Sequence, residues 1–248
     1  MTGGDAAEQS LIDLPPLFGI PSETWPTLLE LAERLDSSTW TLIGGQMVLL
    51  HGLGTGRYPA RVSTDLDLLV NDRLVSVSPG HVAHVLLDMA FTANPESPEG
   101  LAHRFSRGDA VVDVLAPEGL GPRVDLTTVR PGRTIEVPGG SQALQRTEVV
   151  RVRFGDRIGD VPRPDLLGAI VIKACAADRT VRRRVHESDL AFLLSLVDDP
   201  EAMRGELSKK DRQRLRRRAQ MQSGDHPAWQ GIESSTDGRL ALRILVRE

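Results

Sequence analysis

The sequence predicts a mixed α/β fold of the α+β kind: a mixed sheet flanked by helices, followed by a helical C-terminal part. Three observations carry this. Short apolar strand-like runs alternate with amphipathic helical stretches in the first two thirds of the chain. Asp65-Leu-Asp67-Leu-Leu-Val70 sets two acids at strand spacing among apolar neighbours, the pattern of a strand covered on both sides. Beyond Val161-Pro-Arg-Pro164 the spacing turns helical and stays so to about Arg218. That change of texture divides the chain into residues 1–161 (mixed α/β) and 162–248 (helical).

Residues 1–10 are polar, rich in Gly and Ala, and read as a loose tail. Trp25 to Leu35 has helical apolar spacing, with Ser22 or Thr24 as the expected cap. Thr39 to Ile43 reads as a strand running into Gly44-Gly45. A helix over about Gln46 to Gly52 follows, closed by the glycine-rich loop 52–56. The Asp65/Asp67 strand comes next. Pro79 to Phe91 places Val82, Val85, Leu86 and Met89 on one helical side, and Asn94 to Gly100 is turn-like. Ala102–Ser106 and Ala110–Leu115 form a hairpin around Arg107-Gly108-Asp109. Arg133–Val137 and Thr147–Phe154 are further strands. Asp165–Ala177 and Glu187–Val197 are helices, and Gly238–Val246 fits a closing strand or a short helix.

At 248 residues the chain suffices for one large domain or two small ones. Aromatic residues make up only 4%, so Leu, Val, Ile and Ala must build the core. The single cysteine, Cys175, allows no disulfide within the chain and suits a reducing cytoplasm. The first ten residues lack the basic and apolar regions of a secretory signal. No apolar run approaches the ~20 residues that span a bilayer. The expected location is cytoplasmic. The six histidines make no zinc pattern with Cys175, and His81 and His84 read as surface residues.

Period-two alternation puts Asp65 and Asp67 on one strand face, roughly 7 Å apart along the backbone. Buried side by side, they repel. A divalent cation removes the conflict, and Mg²⁺ favours one or two carboxylates together with substrate phosphates. A solvated surface pair is the competing reading, and the apolar flanks weigh against it. Asp113, embedded in Ala110-Val-Val-Asp113-Val-Leu115, is a third buried acid, with Asp125 as the fallback. Three such acids on adjacent strands suit two Mg²⁺ roughly 3.5–4 Å apart and an in-line phosphoryl displacement. Gly44-Gly45 at a strand-to-helix junction exposes backbone N–H groups at the positive end of a helix, an anion site suited to a triphosphate. A turn needing unusual dihedrals accounts for the glycines equally well. Lys173 follows Ile170-Val-Ile172 on an apolar helix, where a lysine needs a partner or snorkels to the surface.

Taken together, these residues resemble the AbiEii/AbiGii-type toxin nucleotidyltransferases, which include the mycobacterial MenT toxins and belong to the polymerase-β-like superfamily. The first half of the likeness is Gly44-Gly45, then Arg61-x-Ser63-x-Asp65-Leu-Asp67-Leu. The second is Lys173-Ala-Cys-Ala176-Ala-Asp178-Arg179, followed by Asp189-Leu190-Ala-Phe-Leu193-Leu194. With Asp113 the match touches most of residues 39–197. The resemblance implies a nucleotidyltransferase-type fold and Mg²⁺-dependent transfer of a nucleoside monophosphate from an NTP to an acceptor hydroxyl. The implied acceptor is RNA, at the 3′ end of a tRNA, and a cognate antitoxin is the implied protein partner. Asp65, Asp67 and Asp113 would be catalytic acids and metal ligands. Asp189 would be a further catalytic acid that orients the acceptor or serves structure, with Glu187 as its competitor. Gly44, Gly45, Arg61, Ser63, Lys173 and Arg179 would bind the nucleotide. The wider superfamily has Gly-Ser where this chain has Gly44-Gly45, so one phosphate-binding hydroxyl is missing.

The formal net charge of −4 hides an asymmetry: Arg204–Arg218 holds eight Lys/Arg against Glu206 and Asp211. Arg182-Arg183-Arg184 adds to it. Such a run suits an RNA backbone, a solvated helix face or an acidic partner protein. No aromatic residue interleaves it, so any RNA contact would rest on backbone and shape. Two other readings stand beside the toxin: a small-molecule nucleotidyltransferase of the antibiotic-modifying type, and a non-catalytic binding module on the same fold.

Overall fold

A computed structural model describes residues 11–16, 19, 21–71, 78–121, 124–178 and 182–247. The tail expected over residues 1–10 lies outside them. In chain order the elements are β1 (Ile12–Asp13), α1 (Thr24–Arg34), β2 (Trp40–Ile43), α2 (Gly44–Gly54), β3 (Asp65–Val70), α3 (Pro79–Asp88) and β4 (Thr92–Ala93). They continue with β5 (Arg104–Arg107), β6 (Ala110–Pro117), β7 (Ile135–Val137), α4 (Gly140–Gln145), β8 (Thr147–Phe154) and β9 (Arg157–Pro164). The C-terminal run is α5 (Leu166–Ala176), α6 (Arg183–Leu194), α7 (Pro200–Gly205), α8 (Lys209–Arg216) and α9 (Ser235–Val246).

The main sheet has the order β2-β3-β6-β5-β4, with β7 also paired to β6. It is mixed: β3 is parallel to β6, while β2 and β5 are antiparallel to their neighbours. A smaller sheet, β1-β8-β9, completes the fold. Strand alternation decides which cluster each side chain joins. Leu66, Leu68, Val70, Val112 and Val114 pack in the cluster that also holds α1 and α3 residues. Leu69 and Leu115, on the opposite face, join the cluster built by α5, α6 and α9. Asp65, Asp67 and Asp113 share that second face by the period of two. The acids therefore lie where the sheet meets the helical C-terminal part.

Several boundaries differ from expectation. The first helix has Glu23 at its N-cap with no side-chain cap, because the Ser22 amide and hydroxyl are held by Asp109 at 2.9 and 3.1 Å. The second helix starts at Gly44, not Gln46. Pro162 and Pro164 do not interrupt the chain; they sit in β9, an edge strand, where a missing N–H costs no ladder bond. Asp165 then caps α5, accepting from the Gly168 amide at 2.6 Å. The helix expected from Glu187 begins one turn earlier, at Arg183, and the last segment is the helix α9.

Candidate active site

The register of the parallel pair β3–β6 sets Asp67 beside Asp113. Asp65 lies two positions before Asp67, on the same face. One carboxylate oxygen from each of the three lies within 4.8 Å of the other two. Asp125 is exposed, accepts from the Thr127 amide at 2.9 Å and stands outside the cluster. Asp113, not Asp125, is thus the third acid. Ser63 donates to Asp65 at 2.5 Å. Burial, then the negative charges of Asp65 and Asp113, push the Asp67 carboxyl up to about 7, against the pull of Lys173 and Arg104.

The two glycines let α2 approach these acids. Gly44 has φ +73°, and a Cβ there would fall 1.7 Å from Asp67 Oδ2. The dihedral fits the turn reading of this glycine, and the approach to Asp67 also needs the missing side chain. A Cβ on Gly45 would fall 2.3 Å from the Ser63 Cβ and 2.8 Å from its hydroxyl. Ser63 therefore fills the space a side chain at 45 would occupy, and brings a hydroxyl to the place where the Gly-Gly pair lacks one.

Lys173 and Asp189 meet across α5 and α6, Nζ to Oδ2 at 2.7 Å, and both are buried. Arg61 reaches the same oxygen at 2.8 Å. Burial works to raise the Asp189 carboxyl, but the charges and hydrogen bonds of Lys173 and Arg61 outweigh it and hold it below the usual range. Asp189 lies in the body of α6, so a helix-dipole role at an N-terminus does not apply. Glu187 faces elsewhere: it accepts from Arg183 at 2.8 Å and lies 3.6 Å from Arg218, outside the acid cleft. Arg179 lies outside the described residues.

A cavity of about 660 Å³ opens over the acids. Asp67, Asp113, Gly44 and Lys173 line its polar end, while Leu101, Leu115, Ile135, Val137 and Ile172 contribute apolar wall. Arg104, His103 and His186 also line the cavity, and the sequence reading does not place them at the site. Arg104 could have been found. The short loop between Arg107 and Ala110 fixes the hairpin register, and that register pairs residue 104 with residue 113. The guanidinium grips Asp113 by two hydrogen bonds, at 2.8 and 2.7 Å, and touches Asp65 at 3.3 Å. The histidines carried no such signal. Burial and the Lys173 charge push His186 down to about 4, so its imidazole is neutral.

Part of the basic run is tied into the protein, while Lys209, Lys210, Arg216 and Arg217 are exposed. Arg214 is held by Glu118 at 2.8 Å and Asp211 at 3.2 Å. Arg218 is buried against Asp178 and Glu187, and Arg217 meets Asp178 at 3.1 Å. Arg216 donates to the Val246 carbonyl at 3.1 Å. These four arginines tie elements of the protein together.

The donor set fits a hard divalent cation such as Mg²⁺: three carboxylates converge, and a Cβ at Gly44 would fill the cradle beside Asp67. Among the described residues no helix is long and apolar enough to cross a membrane. No family model matches the sequence, and no curated protein matches it. Among solved structures the chain is similar to an antigenic nucleotidyltransferase-like protein from Paracoccidioides brasiliensis. The likeness covers 92% of this chain and 96% of that one, with a TM-score of 0.51 and 13% identity. At that identity the likeness shows the fold: this chain has a nucleotidyltransferase-like fold.

Proposed function

We propose that the protein is a divalent-cation-dependent nucleotidyltransferase, which moves a nucleoside monophosphate from an NTP to an acceptor hydroxyl. One observation carries the reading: three carboxylates from adjacent strands converge, and two of them, Asp67 and Asp113, line a cavity whose wall also holds Gly44 and Lys173. Asp65 and Asp67, with Asp113 beside them, would form the seat of Mg²⁺, which supplies charge neutralisation at the reacting phosphate when bound. Gly44 leaves the start of α2 open toward the phosphates. Ser63 orients Asp65 and offers a hydroxyl beside the Gly45 backbone. Lys173 keeps one edge of the cleft positive, and Asp189 with Arg61 fixes its position. The acceptor oxygen bonds to the α-phosphorus as the bond to the β-phosphate oxygen breaks, pyrophosphate leaves, and the acceptor proton passes to water.

The finer reading is an AbiEii-type toxin acting on the 3′ end of tRNA, and it rests on the sequence resemblance. The internal ion pairs of the α8 region favour a second reading, a small-molecule acceptor held in the apolar part of the cavity. Incubation with each labelled NTP, Mg²⁺ and either total RNA or a small-molecule extract separates them. Label on RNA, lost in Asp67→Asn, supports the toxin reading. Label on a small product supports the second. No incorporation from any NTP into either pool sinks the enzyme reading.

A further inference from the structure

We infer that Arg104 takes the place of a second cation, so that the nucleotide-free protein binds one divalent ion, seated on Asp65 and Asp67. The inference rests on the metal-site reading proposed above. Both oxygens of Asp113 already receive donors from one guanidinium, at 2.8 and 2.7 Å. A planar fork on a carboxylate is among the strongest charged contacts a protein makes. Arg104 and Asp113 are direct cross-strand neighbours, so the backbone itself holds the two groups in register. The same guanidinium spans to Asp65 at 3.3 Å, bridging two of the three acids. Asp67, between the other two acids, lines the cavity beside the open start of α2 at Gly44.

Charge balance agrees. Three carboxylates and one guanidinium leave two negative charges, which one divalent ion neutralises. Lys173 and Arg61 share the single charge of Asp189, so their cluster adds a positive charge beside the site and further disfavours a second ion. A second ion on Asp113 would sit within a few ångströms of a permanent cation, and like charges at such range repel. The structure thus assigns Asp113 a different role from its two neighbours: it anchors Arg104 and does not ligate a resident ion.

The test is a Mn²⁺ titration of nucleotide-free protein at constant pH, reading free Mn²⁺ by electron paramagnetic resonance. Wild type is expected to bind one ion per chain. Arg104→Met frees Asp113, and two ions are expected, the second weaker. Asp113→Asn is expected to keep one ion with affinity within about threefold of wild type, whereas Asp67→Asn should weaken binding by about tenfold or more. Circular dichroism checks that each variant is folded. Two ions on wild type, one ion on folded Arg104→Met, or loss of the ion in Asp113→Asn would each overturn the inference while leaving the metal site standing. No ion on wild type would remove the metal-site reading as well. Should Arg104→Met not fold, the wild-type count and the Asp113→Asn affinity still decide the matter.

Discussion

Asp67 holds an electrostatic conflict that a cation would relieve. Its folded carboxyl is pushed to about 7 from an ordinary 3.8, first by burial and then by Asp65 and Asp113. Between those values the folded state keeps a proton that the unfolded state has released. This contribution to stability is full below about pH 4 and is lost as pH rises through about 7. Metal-free Asp67→Asn should therefore be more stable than wild type at pH 8, by on the order of 2–4 kcal/mol, and equal to it near pH 4. Urea unfolding at several pH values reads the difference, and parallel profiles would show that Asp67 is not strained. The Lys173–Asp189 pair behaves in the opposite way, since each charge is satisfied. Lys173→Met leaves a buried carboxylate with Arg61 as its remaining partner, and a loss of about 1–3 kcal/mol is expected. Arg61→Met should cost less, because Arg61 is 36% exposed where Lys173 is 4%. Equal losses would place the structural charge on Arg61 instead.

At the scale of elements, the α2 N-terminus and the β3–β6 pair form one unit. Parallel register brings Asp67 and Asp113 level, and the left-handed Gly44 lets the helix start against them. Gly44→Ala adds about 1–2 kcal/mol of backbone strain. It also places a methyl where Asp67 Oδ2 now sits. Lowered thermal stability is expected, with cation affinity reduced about tenfold or more. A folded Gly44→Ala protein with wild-type Mn²⁺ affinity would separate the helix start from the acid cluster.

Across the whole molecule, the arginines after α7 act as ties between the last helices and the rest of the fold. Arg218 is buried among Asp178, Glu187 and the Ala177 carbonyl, while Arg217 is 58% exposed. Arg218→Met should cost about 3–5 kcal/mol, the penalty of leaving buried partners unmatched. Arg217→Met should stay within about 0.5 kcal/mol of wild type. Thermal unfolding of the two variants checks this. Equal, small effects would mean that the run is a solvated surface after all.

The sequence by itself determined the local order: the strand that carries Asp65 and Asp67, the strand-to-helix junction around Gly44-Gly45, and Asp113 as an acid inside an apolar strand. These were legible because period two and helical spacing are properties of neighbours along the chain. Only the tertiary structure decided which charges meet. Lys173 on α5 reads alike as a phosphate contact or a surface residue until α6 brings Asp189 to it. Arg214 and Arg218 read as a cationic face until Glu118 and Asp178, both more than 35 positions away, neutralise them. Arg104 lies between these cases, since a hairpin register is local enough to predict its meeting with Asp113, whereas its contact with Asp65 needs the parallel crossover. A charge reports its partner only through space, and the chain does not encode that distance in its spacing.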